Sequence, residues 1–434
     1  MKVTITPGKV EGIVKANASK SYAHRYLMAS ALSDKSVYIS NITISEDVQT
    51  TIDAIKALGA RVDMNENGLV VHPLNKESLF GHTVQIHCNE SGTTLRLLLP
   101  IVAALTDDAI FYAKGRLPLR PLADLKEALQ GHGKEFFLEF VKEDLLNEDN
   151  LGEAEGFEEE VTLFRMKGRL TGGEYKLPGN VSSQYVSGLL MALPLLKEDS
   201  IIKVTTDLQS TSYVEMTRQV LFRYEIDTQV IFDTHIGYAI DGGMAYRSPG
   251  ELVVNGDWSN AANFIVLNEL IPDHSIKVLN LSPDFLQSDS EVIKLLHQIT
   301  RPRMHNTIID VKNNPDLLPP LAVAAAFGEG TTTFIGGKRL RYKESDRLNS
   351  TVEMINSLGG VAEETEEGIV INGSGILGGT VRSFKDHRIV MAASIAGIVA
   401  THPVTILEAE AVNKSYPEFF EVLRSIGADV SIEE

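Results

Sequence analysis

Residues 91–112 read SGTTLRLLLPIVAALTDDAIFY: a hydroxyl residue, a helix crowded with apolar side chains, an Asp-Asp turn and an Ala/Ile/Phe/Tyr strand. A helix that is apolar on most faces has no side to offer to water, so it belongs in an interior covered by other elements. The unit recurs at 19–40 (SKSYAHRYLMASALSDKSVYIS), 182–204 (SSQYVSGLLMALPLLKEDSIIKV), 258–270 (WSNAANFIVLNEL), 315–334 (PDLLPPLAVAAAFGEGTTTF) and 386–406 (DHRIVMAASIAGIVATHPVTI). Self-similarity at a spacing of roughly 60–90 residues marks a fold assembled from copies of one supersecondary unit. Between copies a second helix ends in glycine and leads into a strand, as in IKALGARVDM (55–64), INSLGGVAEETEEGIVI (355–371) and LRSIGADVSI (423–432). Gly59, Gly359 and Gly427 fit the left-handed position that closes a helix. Six copies in 434 residues favour two domains of three units each, with strands outside and helices inside.

Two intervals break the spacing. Residues 134–162 are an acidic insertion, expected as a solvated surface element. The fourth interval, around LHQITRPRMHNTIIDVKNNPD (296–316), leaves little room for a full helix and strand pair and predicts a truncated unit. Repeat phase puts the domain boundaries near residues 12–20 and 240–252. Forty basic against 58 acidic residues leave a net charge of −18, which argues against broad nucleic-acid or anionic-membrane binding. The apolar runs fall short of a membrane span and MKVTITPGKV has no signal-peptide core, so a cytoplasmic enzyme is expected. Cys88 is the sole cysteine, which excludes an internal disulfide, and no Cys/His spacing suggests zinc; an inert, partly buried thiol is expected.

Within this acidic chain, basic residues recur at or near helix starts: Lys20 and Arg25, Arg96, Arg116 and Arg120, Lys343 and Arg347, Arg388, and Lys414. A helix N-terminus already presents free N–H groups and a positive dipole end, so a cation placed there builds an anion site. Scattered surface charge is the alternative. Ser19-Lys20-Ser21 and Ser182-Ser183-Gln184 place hydroxyls where they can cap a helix or meet a ligand. Gly92 leaves room for close approach of an anion. Lys343-Glu344-Ser345-Asp346-Arg347, read as a helix start, sets Lys343 and Arg347 one turn apart on one face with Glu344 beside them, either as a site or as a surface ion-pair patch. Asp316 and His387 add a carboxylate and a proton carrier, and a carboxylate among cations ionises readily and can act as a base. No G-x-x-x-x-G-K-[ST] loop, dinucleotide fingerprint or HExxH is present. A metal-free, cofactor-free transfer in which phosphate is held by side chains and then leaves fits better than nucleotide-dependent phosphoryl transfer.

The ordered set SKSxxHR (19–25), SGTTLR (91–96), RLPLRP (116–121), GNVSSQY (179–185), STSY (210–213), GDWSNAA (256–262), NPDLLP (314–319), KESDR (343–347), DHR (386–388) and NKSYPEFF (413–420) resembles the EPSP synthase family across nearly the whole chain. The resemblance implies an α/β fold, a two-domain inside-out α/β barrel of enolpyruvyl transferase type, each domain built from three βαβαββ-type repeats. It further implies a discontinuous domain of residues 1–14 with 248–434, a continuous one of 15–247, and an active site in the cleft between them. It implies transfer of the enolpyruvyl group of phosphoenolpyruvate to the 5-hydroxyl of shikimate 3-phosphate through a tetrahedral adduct. Shikimate 3-phosphate would meet Lys20, Ser21, Arg25, Ser182, Ser183, Ser210, Tyr213, Asp316 and Lys343. Phosphoenolpyruvate would meet Lys20, Gly92, Arg116, Gln184, Arg347, Arg388 and Lys414. Asp316, Glu344, Lys20 and His387 would be catalytic. A monomer acting on these small molecules is expected.

Four sites depart from the family's usual residues: Asn17-Ala18 for Pro-Gly, Glu90 for Asn, Leu97 for Pro and Arg339 for Asn. They bear on the first loop's conformation, on repulsion of phosphoenolpyruvate unless Glu90 turns away, on glyphosate sensitivity and on one shikimate 3-phosphate contact, respectively. The rival readings are a UDP-N-acetylglucosamine enolpyruvyl transferase, which usually carries a loop cysteine absent near Arg116, and an inactive relative serving as a binding protein.

Overall fold

The computed structural model describes residues 1–137, 157–283, 286–300 and 306–434. The chain forms two compact units, one of Met1–Asn17 with Asn255–Glu434 and the other of Ala18–Val254. Among the described residues the strands make five four-stranded sheets and one two-stranded sheet.

One repeat shows the construction. Strand Val84–His87 leads into helix Gly92–Leu105, then come strand Asp108–Gly115, helix Ala123–Gln130, and strands Lys134–Phe137 and Phe157–Gly168. The helical crossover makes the first two strands parallel, while Phe157–Gly168 pairs antiparallel with both Asp108–Gly115 and Lys134–Phe137. The sheets holding Gly173–Leu177 and Asn306–Asp310 repeat this parallel, antiparallel, antiparallel order.

Three sheets differ in where their strands come from. Strand Gly12–Lys15 precedes the first helix in sequence, yet it pairs in parallel with Ile276–Leu279, far along the chain. Strand Glu251–Val253 precedes the helix at Trp258, yet it pairs in parallel with Val37–Ser40. The first and fourth repeats have therefore exchanged their leading strands, and the chain passes from one unit to the other just after each, at Asn17/Ala18 and Val254/Asn255. The Gly12–Lys15 pairing is the two-stranded sheet, so the fourth repeat does carry its second helix, Val292–Thr300, but no closing hairpin among the described residues. The sixth sheet takes an inner strand from the N-terminus: Lys2–Thr6 lies between Val404–Leu407 and Asp429–Glu433.

We label the helices α1 (Lys20–Leu32), α2 (Glu46–Ala57), α3 (Gly92–Leu105), α4 (Ala123–Gln130), α5 (Ser183–Ala192), α6 (Thr211–Arg223), α7 (Trp258–Leu270), α8 (Val292–Thr300), α9 (Leu318–Phe327), α10 (Arg347–Ser357), α11 (His387–Val399) and α12 (Phe419–Ser425). The first helix of each repeat is the buried one; in α9 every residue from Leu318 to Ala326 is buried, and in α11 every residue from His387 to Ile398. Each fully buried Leu there contributes on the order of 1.5–3 kcal/mol. The second helices bury one face only, as α2 and α10 show. Gly59, Gly359 and Gly427 close α2, α10 and α12 with φ of +92°, +83° and +94°.

The acidic stretch is mixed in character. Lys134 at its start is buried, with Nζ donating to the carbonyls of Thr106 (2.7 Å) and Gly168 (2.5 Å), whereas Glu158–Glu160 are exposed; residues 138–156 lie outside the described residues. Cys88 is fully rather than partly buried, and burial pushes its thiol pKa up.

Candidate active site

In the Ala18–Val254 unit, hydrogen bonds gather the N-terminal ends of α1, α2, α3, α5 and α6. Lys20, first residue of α1, sets its Nζ 2.7 Å from Asp47 Oδ2 in the first turn of α2. One turn on, His24 is wholly buried and its Nδ1 lies 2.6 Å from Thr51 Oγ1; Thr51 meets Thr94 Oγ1 at 2.7 Å, and Thr94 donates to Ser91 Oγ at 2.7 Å. Thr94 donating onward leaves Thr51 to donate to Thr94, so His24 is the donor to Thr51 and carries its proton on Nδ1. Burial lowers the pKa of His24 to about 3 and keeps the ring neutral. Arg25, 2% exposed, donates from Nε to Thr217 Oγ1 (2.7 Å), from Nη1 to the Ser21 carbonyl (2.8 Å) and from Nη2 to the Tyr213 carbonyl (3.1 Å). Two of these bonds join α1 to α6, and the third closes back onto the first turn of α1.

Gln184 in the first turn of α5 bridges to α3, its Nε2 donating to Thr93 Oγ1 (2.8 Å) and its Oε1 accepting from Arg96 Nη1 (3.2 Å). Ser182 caps α5 through the Gln184 N–H, whereas Ser19 makes no side-chain cap bond at α1. Ser183 follows in α5, and Ser210, in the left-handed region at φ +53°, precedes α6 and Tyr213. Gly92 opens α3 against a guanidinium: a Cβ there would lie 2.8 Å from Arg120 Nη1. Arg116 begins the turn that leads to Arg120. Glu90 folds over Gly115, where a Cβ would fall 2.3 Å from its Cδ, so its side chain rests on the backbone just before Arg116.

The unit of Met1–Asn17 and Asn255–Glu434 carries the other cluster. Its hub is Arg347, 1% exposed at the start of α10. Nη1 donates to Asp316 (2.6 Å), Nη2 to Glu344 (2.6 Å), and Nε to Asp386 Oδ2 (2.9 Å). Burial alone lowers the pKa of Arg347, and Asp386, Glu344 and Asp316 outweigh it and raise the net value. Asp386, fully buried, also caps α11 through the Arg388 N–H (2.9 Å) and accepts from Ser345 Oγ (3.0 Å). Asp316 sits in the turn ahead of α9 with Lys343 Nζ at 3.5 Å and Arg388 Nη2 at 3.6 Å. Burial favours its neutral form, but Lys343, Arg388 and Arg347 prevail and hold the carboxyl well below the usual carboxylate range. Arg388 Nη1 donates to Asn260 Oδ1 (3.1 Å), His387 Nδ1 lies 3.8 Å from Asp386, and Lys414 Nζ donates to the Lys385 carbonyl (3.1 Å).

The KESDR segment therefore departs from its expected form. The helix begins at Arg347, Asp346 is its cap, and Lys343 belongs to the preceding turn, so the two cations meet at Asp316 instead of sharing a helix face. Nor is it a surface patch, because Arg347 and Asp386 are buried. The recurring cations as a group are not scattered surface charge: Arg25, Arg96, Arg120, Arg347, Arg388 and Lys414 are all buried. Asp47, His24 and Asn260 were not legible as partners, since each is matched with a residue of another helix. Asp386 had a readable signal, an acid just before an apolar run.

Three departures have structural answers. Asn17 donates to the Ser415 carbonyl (3.2 Å) and accepts from Asn260 (3.3 Å), while the Ala18 N–H donates to Thr43 Oγ1 (3.1 Å). Arg339 donates to the Lys312 carbonyl (2.7 Å); burial lowers its pKa and the Asp316 charge acts against that. Leu97 is wholly buried within α3.

The fold is shared with solved structures. EPSP synthase from Acinetobacter baumannii superposes with a TM-score of 0.76 at 23% identity, covering 99% of this chain and 100% of that one. The enolpyruvyl transferase NikO from Streptomyces tendae gives 0.73 at 15% identity, covering 99% and 98%. The architecture is thus of the enolpyruvyl transferase class. Residues 5–423 match the profile of the family EPSP synthase (3-phosphoshikimate 1-carboxyvinyltransferase). A 3-phosphoshikimate 1-carboxyvinyltransferase of Clostridium perfringens (strain 13) is 36% identical over 443 aligned positions, spanning 98% of each chain, and one of Clostridium kluyveri is 34% identical over 99% and 98%. The chain belongs to the EPSP synthase family, a family of transferases.

Proposed function

We propose that this protein transfers the enolpyruvyl group of phosphoenolpyruvate to the 5-hydroxyl of shikimate 3-phosphate, releasing phosphate, in the shikimate pathway to aromatic amino acids. The observation that carries the chemistry is an ionised carboxylate, Asp316, set among Arg347, Lys343 and Arg388. Protonation of the phosphoenolpyruvate methylene makes its C2 electron-poor; the 5-hydroxyl oxygen bonds to C2 and its proton passes to Asp316. Loss of a methyl proton from the tetrahedral adduct then expels phosphate, breaks the C2–O bond and restores the double bond. Lys20 and Glu344 move the protons at the methylene, with His387 in support.

Resting Asp316 is a weak base because its cations stabilise the charged form. Anionic substrates drawn to Lys343, Arg347 and Arg388 oppose that field and raise its proton affinity as the site fills. Shikimate 3-phosphate meets Lys20, Ser21, Ser182, Ser183, Ser210, Tyr213, Asp316 and Lys343, with Arg25 offering the N–H groups not spent on Thr217, Tyr213 and Ser21. Phosphoenolpyruvate meets Lys20, Gly92, Arg116, Gln184, Arg347, Arg388 and Lys414. Helix N-termini gathered beside buried cations support an anion site of this kind. The fully buried Cys88, its thiol pKa pushed up, does not fit the loop cysteine of the sugar-nucleotide enzymes. Among the described residues no helix is long and apolar enough to cross a membrane; we place the protein in the cytoplasm as a monomer, which sedimentation velocity at assay concentration checks.

Phosphate release from phosphoenolpyruvate tests the reaction, with shikimate 3-phosphate and UDP-N-acetylglucosamine as competing acceptors. Release with shikimate 3-phosphate alone is expected, and release only with the sugar nucleotide would reverse the acceptor assignment. Asp316→Ala should lower turnover by about two orders of magnitude or more while shikimate 3-phosphate binding stays detectable by calorimetry. Near-parental turnover would remove Asp316 as the base.

A further inference from the structure

A second acidic side chain shares the surroundings of Asp316. Asp289 is 1% exposed, lies in the short turn Ser288–Glu291 ahead of α8, and accepts a hydrogen bond from Ser259 Oγ in the first turn of α7. That turn is tied to the one bearing Asp316: Ser288 Oγ donates to the Asn313 carbonyl (3.0 Å) and Asn314 Nδ2 donates to the Ser288 carbonyl (2.5 Å). On its other side Gln287 Oε1 accepts the Trp258 N–H (3.1 Å) and Gln287 Nε2 donates to the Gly256 carbonyl (2.9 Å), anchoring the turn to the start of α7. The segment is a bracket between the α7 cap and the Asn313–Leu317 turn, and Asp289 is its buried charge.

The charged groups acting on Asp289 come from three elements: Asp316 ahead of α9, Arg388 in α11 and Asp257 at the α7 cap. Burial first, then the Asp316 carboxylate, raise the Asp289 pKa above the ordinary carboxylate range, while Ser259 and Arg388 act the other way. The interaction is mutual. Three cations lower the proton affinity of Asp316 and Glu344 raises it, and because charges act on each other equally, a charge on Asp289 raises it as well.

We propose that Asp289 is a positioning residue for Asp316, fixing the Asn313–Leu317 turn through the Ser288–Glu291 bracket and offsetting with its own negative charge the cations that crowd the Asp316 carboxylate. The proposal rests on Asp316 being the base, as set out above. The Asp289 carboxyl accepts no substrate proton; it acts through the proton affinity and placement of Asp316. When Asp289 protonates on acidification, that support is withdrawn and turnover declines.

Asp289→Asn keeps the shape and the acceptor for Ser259 but removes the charge. It is expected to lower kcat about tenfold or more at neutral pH, to leave the Kd for shikimate 3-phosphate within about threefold, and to abolish the acidic limb of the kcat profile that Asp289 sets. A kcat within about twofold of the parent with an unchanged acidic limb would overturn the proposal. Should Asp289→Asn fail to fold, Ser259→Ala serves in its place: loss of the hydroxyl donor raises the Asp289 pKa and must move the acidic limb to higher pH, and an unmoved limb is the overturning result. Carboxyl 13C titration separates this proposal from the assignment of the base. In Asp316→Asn the Asp289 midpoint must fall; an unmoved midpoint defeats the proposal, whereas retained turnover in Asp316→Asn defeats the base assignment.

Discussion

At the scale of single residues, the candidate site is built from side chains that also hold the fold together. Arg347 is held by three carboxylates, and without them its buried charge would be costly, since removing one partner of a buried ion pair typically costs about 3–5 kcal/mol. Gly92 shows how little space is left. An added Cβ would sit 2.8 Å from Arg120 Nη1, the mobile end of a long side chain, so the guanidinium is displaced and the helix start survives. Gly92→Ala is therefore expected to fold normally, to raise the Michaelis constant for phosphoenolpyruvate and to weaken inhibition by glyphosate. Steady-state kinetics on both ligands checks this, and unchanged values for both would remove Gly92 from the site.

At the scale of elements, the informative feature is the buried chain from His24 through Thr51 and Thr94 to Ser91, which joins α1, α2 and α3. His24 titrates near pH 3 in the folded protein and near 6.5 when unfolded, so between those values the unfolded state binds more protons. Its contribution is present above about pH 6.5 and is lost as pH falls towards 3, at up to about 1.4 kcal/mol per pH unit. His24→Gln, which cannot titrate, should flatten the fall in unfolding free energy over that window relative to the parent. Urea denaturation at a series of pH values measures it, and parallel curves for the two proteins would show that His24 does not titrate on unfolding. Apart from the KESDR start, which begins at Arg347 and leaves Lys343 outside the helix, helix starts and glycine closures were legible in the sequence because they depend on neighbours three or four residues apart. This hydroxyl chain was not, because its partners are joined only by packing.

At the scale of the molecule, the exchange of leading strands makes the two units unequal in what they need. The Ala18–Val254 unit contains all the strands of its own sheets, including Glu251–Val253. A fragment of residues 18–254 should fold with a cooperative thermal transition. Ending it at residue 241 removes that edge strand together with buried Tyr246, whose hydroxyl donates to the Met191 carbonyl, and should lower the melting temperature by several degrees, about 2–4 °C for each kcal/mol lost. Residues 255–434 alone lack Lys2–Thr6, an inner strand, and Gly12–Lys15, and should show no cooperative transition by circular dichroism. A cooperative melt of 255–434 would mean that the N-terminal strands are dispensable.

The amino-acid sequence by itself determined the repeat, the interior helices, their closures and the residue types that gather cations at helix starts, because each follows from local spacing and burial pattern. The motifs from Lys20 to Lys414 carried the family as well. Only the tertiary structure decided which carboxylate faces which cation, that Asp386 stands behind Arg347, that Arg25 also ties α1 to α6, and that the first and fourth repeats trade strands. Those outcomes depend on segments tens to hundreds of residues apart meeting in a low-dielectric interior, where a charge is stable only beside its partner.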